Sequence, residues 1–297
     1  MTAPLVSIVL PTYNSRTTLA WSLRSILQQT CTDFEVWVIG DGCTDGSEEV
    51  VASFGDARLH WLNLPTNSGN QSVPNNEAIS RATGKYVAHL GHDDLWLPDH
   101  LSSLVDLIGR TGADFVHGLA ALYAPAGLVG VVGAPSKGRT YRNPCIIPST
   151  WLYKREVFDI CGPWRQPEAL QQAIDVDYVR RISEAGLRIE GNDRVTVMKY
   201  PSHYWKAYAR TEGWPQEAPC QLIEKDPAAA ERQVAGDMAG LLASQWRRLL
   251  TNADIRRILY EHLRDGLLAP KPRGLEWVRR ATFQYLRRRA WRDRGLK

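Results

Sequence analysis

The chain has 297 residues, 44% of them apolar or aromatic, and a formal net charge of +4. This is an ordinary globular composition with enough apolar residues for a full core, so a disordered or fibrous chain is excluded. The excess charge is local: residues 271–297 hold ten Lys/Arg and two Asp/Glu, leaving the body slightly acidic, so the basic balance says little about the body's ligand.

Five cysteines, Cys31, Cys43, Cys145, Cys161 and Cys220, are scattered and form no CxxC pair. That argues against a disulfide scaffold or a zinc site and fits a reducing cytosol. The N-terminus runs straight into a strand pattern with no apolar h-region, so no signal peptide is expected.

Residues 6–10 read as a buried strand ended by Pro11-Thr12-Tyr13-Asn14. Ser15 is the expected N-cap of a helix carrying Leu19, Leu23, Ile26 and Leu27. A second strand, 34–39, ends at the turn Gly40-Asp41-Gly42-Cys43-Thr44-Asp45-Gly46-Ser47. A short helix over 48–54, a strand over 58–64, a loop at Asn67-Ser68-Gly69-Asn70 and a helix over 75–82 follow. After Gly84 a short apolar strand stops at Gly91-His92-Asp93-Asp94. This alternation predicts a parallel sheet built from βαβ units. If the strands lie side by side, turns 11–14, 40–45 and 91–94 meet outside their carboxyl ends, where open α/β sheets bind ligands.

Two adjacent acids at such a place are costly unless something positive joins them, and a divalent metal is the usual partner. The alternative is a solvated loop that caps the helix opening near Pro98. No G-x-G-x-x-G follows the first strand and no P-loop occurs, so a nucleotide here is not held by a glycine-rich cradle.

Residues 115–136 lack formal charge and are long enough to test as a membrane span. Their glycines and prolines instead suggest a hairpin of 119–123 with 128–132. Ile174-Asp175-Val176-Asp177 opens a helix, and a strand over 195–198 leads to Tyr200-Pro201-Ser202-His203. Trp151, Trp164, Trp205 and Trp214 suit core packing as readily as sugar stacking. From residue 226 the pattern is helical, over 227–250, 252–265 and 273–294. The last run sets Leu275, Val278, Tyr285 and Leu286 against Arg280, Arg287 and Arg294. It suits a helix on an anionic membrane surface, one docked on the body, or one that pairs protomers.

Taken in order, Pro11-Thr12-Tyr13-Asn14, the 41–47 turn, Asn75-Asn76 with Ala82-Thr83-Gly84-Lys85-Tyr86, and His92-Asp93-Asp94 resemble a family 2 glycosyltransferase. The resemblance implies an α/β, GT-A-like fold, with a Rossmann-like mostly parallel sheet flanked by helices. Residues 1–225 would be the catalytic domain, with a nucleotide-binding half at 1–110 and an acceptor half at 111–225. Residues 226–297 would be a helical, basic C-terminal extension. It further implies inverting, metal-assisted transfer of a sugar from a UDP- or dTDP-sugar to a hydroxyl of a glycan or lipid-linked acceptor. The setting would be bacterial cell-surface polysaccharide or glycoconjugate synthesis, in the cytoplasm at the inner face of the membrane. A non-catalytic nucleotide-sugar binder of the same fold is the alternative.

By the same resemblance, Pro11, Thr12, Tyr13, Asn14, Asp41, Asn70, Asn75 and Asp93 hold the nucleotide. Asp94 and His203 hold Mn2+ or Mg2+, and Asp175 is the base, with Asp177 as its rival two residues on. No nucleic-acid partner is expected, and a homo-oligomer stays open. Two positions depart from the family pattern: Gly91 stands where an acid is common, and Ile174 where a glutamate is usual.

Overall fold

A computed structural model describes residues 3–133, 146–205, 210 and 212–251, with side chains to 245. The chain divides into two compact units, Met1–Met238 and Ala239–Lys297. The expected tail helices over 252–265 and 273–294, with the basic face proposed for a membrane, lie outside the described residues.

Through the first hundred residues strands and helices alternate as expected: β1 (Val6–Thr12), α1 (Arg16–Leu27), β2 (Phe34–Gly40), α2 (Ser47–Ser53), β3 (Leu59–Asn63), α3 (Ser72–Arg81), β4 (Tyr86–His89), β5 (Leu95–Trp96) and α4 (His100–Thr111). The remainder comprises β6 (Phe115–Ala124), β7 (Gly127–Val132), β8 (Trp151–Lys154), α5 (Glu156–Cys161), α6 (Ile174–Glu184), β9 (Ile189–Lys199), α7 (Ser202–Trp205), α8 (Glu217–Lys225) and α9 (Pro227–Thr251). Among the described residues the strands form one sheet in the order β3-β2-β1-β4-β8-β6-β9-β5, with β7 paired to β6. The first four of these strands are parallel; β8 then runs antiparallel to both β4 and β6.

Alternation along each central strand explains why it is buried on both faces. Val6, Ile8 and Leu10 of β1 pack with Leu19, Leu23 and Ile26 of α1 on one side. Val9 faces the other side, with Ala78 and Ile79 of α3. The same second cluster holds Phe115, Trp151, Tyr153, Trp164 and Tyr178. The Trp164 and Tyr178 rings stack at 4.8 Å and those of Trp151 and Trp164 at 5.6 Å. Trp151 and Trp164 are therefore core, not sugar platforms.

Residues 119–123 and 128–132 form the expected hairpin as parts of β6 and β7. No helix among the described residues is long and apolar enough to cross a membrane. A third cluster joins Leu95, Leu97, Met198 and Tyr200 to Cys220 and Ile223 of α8 and Ala230 and Val234 of α9.

Ser15 occupies the N-cap position of α1, but its hydroxyl donates to Tyr13 O instead of capping the helix. Asp45, in the turn after β2, accepts the free Arg16 N–H at 2.8 Å and does the capping. A clasp likewise fixes the start of β4. Ser7 Oγ and Thr83 N both donate to Glu35 Oε1, at 2.6 and 2.8 Å, while Gly84 N donates to Ser7 Oγ at 2.8 Å.

A Cβ on Gly84 would stand 2.6 Å from Ser7 N, closer than atoms can approach. Gly84→Ala is therefore expected to destabilise by about 1–3 kcal/mol, as overpacking does. Urea denaturation should show a lower midpoint at an unchanged slope; an unchanged midpoint would mean that β1 yields freely.

Candidate functional site

Because β1 lies between β2 and β4, its neighbours diverge from it at a topological switch point, and the polar turns after all three strands meet there. Asp41 N donates to Thr12 O at 2.8 Å, and the His92 ring lies 3.3 Å from Pro11 O. Between the turns opens a cleft of about 490 Å3, lined among others by Thr12, Tyr13, Asp41, Asn70, Asp93 and Lys199. Asp41 is buried, and its carboxylate accepts bonds from Ser68 N and Oγ at 2.9–3.1 Å. It thereby shapes the loop that forms the cleft's outer wall. Asn70 belongs to the same wall, donating to Gln166 and accepting from Ser72 N.

A second recess of about 180 Å3 holds Asn75, His89, Ser149 and Asp175. It shares Pro11, Gln71, Gly91 and Lys199 with the first cleft, so the two are neighbours across a common wall. Buried polar atoms are normally paired, and those that are not mark a place for a ligand or water. Asn75 is buried, and neither its amide nitrogen nor its oxygen finds a partner among the described residues; the same holds for His89 Nδ1 and, in the first cleft, for Thr12 Oγ1. Burial lowers the His89 pKa to about 3, so this ring is neutral and bonds Tyr153 Oη through Nε2 at 2.8 Å.

The acid pair sits deeper. β5 pairs antiparallel with the end of β9, Leu95 opposite Met198, and this pairing sets Asp93 and Asp94 against Lys199, the last residue of β9. Lys199 Nζ lies 3.0 Å from Asp94 Oδ2 and 3.5 Å from Asp93 Oδ1. Asp94 Oδ2 also accepts from Ser149 Oγ at 2.5 Å, and its Oδ1 accepts from Tyr200 N at 3.2 Å. Asp93 Oδ2 accepts from Ser202 Oγ at 2.7 Å. Burial alone would discharge the lysine, but the two carboxylates outweigh it and hold its pKa above the ordinary range. Burial opposes the Asp93 charge too, yet Lys199, His92 and Ser202 hold its carboxyl below the usual range. Burial, with the neighbouring Asp93 charge added, holds Asp94 above it.

This arrangement does not fit the expected two-acid metal site. Asp94 is wholly buried, lines neither cleft, and has both oxygens engaged. The ammonium of Lys199 stands where a cation between the acids would stand. His203 is exposed, with its ring against Tyr204, and also lines neither cleft. No group of three or more His, Cys, Asp or Glu suited to a metal occurs among the described residues.

Of the residues expected to hold the nucleotide, Pro11, Thr12, Tyr13, Asp41, Asn70 and Asp93 line the first cleft and Asn75 the second. Asn14 lines neither. It adopts a left-handed turn conformation, φ 42°, which asparagine tolerates, and its Oδ1 accepts from Thr44 N at 2.8 Å, bracing the 41–47 turn.

Asp175 lies in the first turn of α6, at the wall of the second recess, and burial raises its pKa above the usual carboxylate range. The rival Asp177 is fully buried and bound to Arg181 Nε at 2.9 Å and Arg180 at 3.1 Å, and Arg181 in turn donates to the Cys161, Gly162 and Pro163 carbonyls, so Asp177 is occupied in holding the arginine that anchors α6. Lys199, His89 and Ser149 escaped the sequence reading. Lys199 carried one legible signal, a lysine at the end of the largely apolar run 195–198.

The parallel β3-β2-β1-β4 half, the mixed continuation and the cleft at the switch point define a GT-A fold. Residues 7–128 match the family model described as glycosyl transferase family 2. It is 36% identical over 114 residues to the putative teichuronic acid biosynthesis glycosyltransferase TuaG of Bacillus subtilis, covering 38% of this chain and 45% of that protein. It is 30% identical over 133 residues to the UDP-Glc:alpha-D-GlcNAc-diphosphoundecaprenol beta-1,3-glucosyltransferase WfgD of Escherichia coli, covering 45% and 52%. The chain thus spans about half the length of these relatives.

Among solved structures, Staphylococcus aureus TarS 1–349 in complex with UDP-GlcNAc superposes with a TM-score of 0.57 at 22% identity, over 80% of this chain and 71% of that one. The mannosyltransferase PcManGT of Pyrobaculum calidifontis, in complex with GDP-Man and Mn2+, gives 0.54 at 18%, over 90% and 81%. At these identities both likenesses concern the fold.

Removing Asp177 would leave Arg181, 9% exposed, without its charge partner. Asp177→Ala is expected to cost about 3–5 kcal/mol, as breaking a buried pair does. Thermal unfolding checks this, and a loss below about 1 kcal/mol would release Asp177 from its anchoring role.

Proposed function

We propose that the chain transfers a sugar, with inversion, from a nucleotide diphosphate sugar to a hydroxyl of a glycan or lipid-linked acceptor in bacterial polysaccharide synthesis. The observation that carries this reading is the shared wall: a carboxylate, Asp175, lines the recess adjoining the cleft where the three strand-end turns meet. In this reading the first cleft takes the nucleotide and the second takes the reacting sugars. The names of the similar proteins above favour a uridine donor and a polyprenyl-diphosphate-linked acceptor. The expected work place is the cytoplasmic face of the membrane, with the basic segment 273–294 touching anionic lipid.

The chemistry follows from the groups present. An acceptor oxygen attacks the anomeric carbon from the face opposite the diphosphate, through an oxocarbenium-like state. The new C–O bond forms as the bond to the diphosphate breaks, and that electron pair leaves on the diphosphate oxygen. The acceptor's proton passes to Asp175, whose pKa, raised by burial, makes it a stronger base than an exposed aspartate. Asn75 and the neutral His89 supply unpaired hydrogen-bonding atoms for sugar hydroxyls in the recess.

Asp175→Asn should lower kcat by about 10^2–10^4-fold, the usual contribution of a positioned base. Nucleoside diphosphate affinity should stay within about twofold. In the wild type the rate should fall as the pH drops through the raised Asp175 pKa, because the base is then protonated; this limb should vanish in the variant. Transfer from UDP-glucose and UDP-GlcNAc to polyprenyl-diphosphate sugars, followed by product analysis, checks all three. Full transfer by Asp175→Asn would remove Asp175 from the reaction.

A further inference from the structure

Asp93 and Asp94 are the kind of pair that needs a positive partner, and the partner present is a side chain of this chain. Lys199 bridges both acids, at 3.5 and 3.0 Å, and its side chain is 23% exposed, against 8% for Asp93 and none for Asp94. Its open side therefore faces the clefts, with Asp94 behind it. Lys199 lines both clefts, and among their described lining residues it is the sole lysine or arginine.

Position 91 completes the picture. A Cβ on Gly91 would lie 3.1 Å from Asp94 Oδ2 and 3.2 Å from Asp93 Oδ1, so an acid there would crowd a third carboxylate onto the pair. Glycine limits the cluster to two acids around one ammonium. The site of donor departure is the wall common to both clefts, because the nucleotide lies on one side of it and the reacting sugar on the other.

We infer that Lys199 is the cation that receives the donor's diphosphate, and that donor binding by this chain does not require a divalent metal. The acids hold the ammonium charged and aimed at the wall, as a carboxylate pair otherwise holds a metal. An ammonium is a compact point charge with three donors, well suited to phosphate oxygens. It stands beside the oxygen that takes the electron pair when the glycosidic bond breaks. This inference rests on the donor-cleft reading proposed above.

Isothermal titration of the full chain with UDP, dTDP and GDP, each in EDTA and in Mn2+, tests it. The expected result is that one nucleoside diphosphate binds in EDTA within about threefold of its affinity in Mn2+. Lys199→Gln should weaken that diphosphate at least tenfold in EDTA while leaving the parent nucleoside's affinity unchanged, and Lys199→Arg should recover most of the loss. A purely structural lysine would lower both affinities together, and that outcome overturns the assignment.

Binding seen only with Mn2+ in the wild type overturns the inference and leaves the proposed transferase standing. No binding of any nucleoside diphosphate, with or without Mn2+, overturns both. The wild-type comparison needs no variant, so it decides the metal requirement even if Lys199→Gln does not fold, and Lys199→Arg, which keeps the charge, then tests the lysine: diphosphate affinity kept within about threefold is expected, and loss of diphosphate and nucleoside affinity together overturns the assignment.

Discussion

The pairing of β5 with the end of β9 is the constraint on which the site depends. It is only two residues long on the β5 side, yet it carries Asp93 and Asp94 from the end of a central strand to the Lys199 ammonium. Two charges about 4 Å apart at a protein surface attract by about 4 kcal/mol, while burying each ion costs several. The group persists because the remaining lone pairs are also answered, by Ser149, Ser202 and the Tyr200 backbone. Gln216, from beyond the sheet, donates to the Asp93 carbonyl and ties the same turn to the start of α8. A misregistered β9 would strand the acids without a partner, so the charge cluster also specifies the register.

Around that cluster the two halves of the unit play different parts. The parallel half supplies turns tied to one another by hydrogen bonds, Asp41 N to Thr12 O and the His92 ring to Pro11 O. The mixed half supplies Ser149, Asp175 and Lys199 from three separate elements, which meet only because β8 and β9 both join the sheet beyond β4. The aromatic stack of Trp151, Trp164 and Tyr178 lies beneath the recess and fixes α6 against the sheet. Asp177, on the same helix, pairs with Arg181, whose guanidinium donates to the Cys161, Gly162 and Pro163 carbonyls and so ties α6 to the end of α5.

Most of the parallel half was legible in the sequence, because period-two burial and glycine-rich turns are local signals. The meeting of turns 11–14, 40–45 and 91–94 followed from the βαβ alternation alone. The demand of Asp93 and Asp94 for a positive partner was legible too, but its identity was not. Lys199 lies 105 residues after Asp94, and only the pairing of β9 brings it near. Asn14 and Ser15 show the opposite failure: their local patterns were right for a ligand contact and a cap, but nearby backbone groups claimed both side chains. His203, placed by analogy, falls on the exposed side of a one-turn helix, while its neighbour Ser202 reaches the acid.

The bond from Asp45 to Arg16 N has a consequence for recognition. With Asn14 bracing Thr44, and Asn63 exchanging bonds with the Cys43 backbone at 2.8 and 2.9 Å, the 41–47 turn is tied to α1 and β3 as well as to its own strand. Its conformational freedom is surrendered on folding, before any ligand arrives. A guest therefore meets a rim that is already ordered and forgoes the roughly 0.5–1.5 kcal/mol of ordering per side chain that a loose loop would demand. The same rigidity makes this rim a poor place to widen specificity.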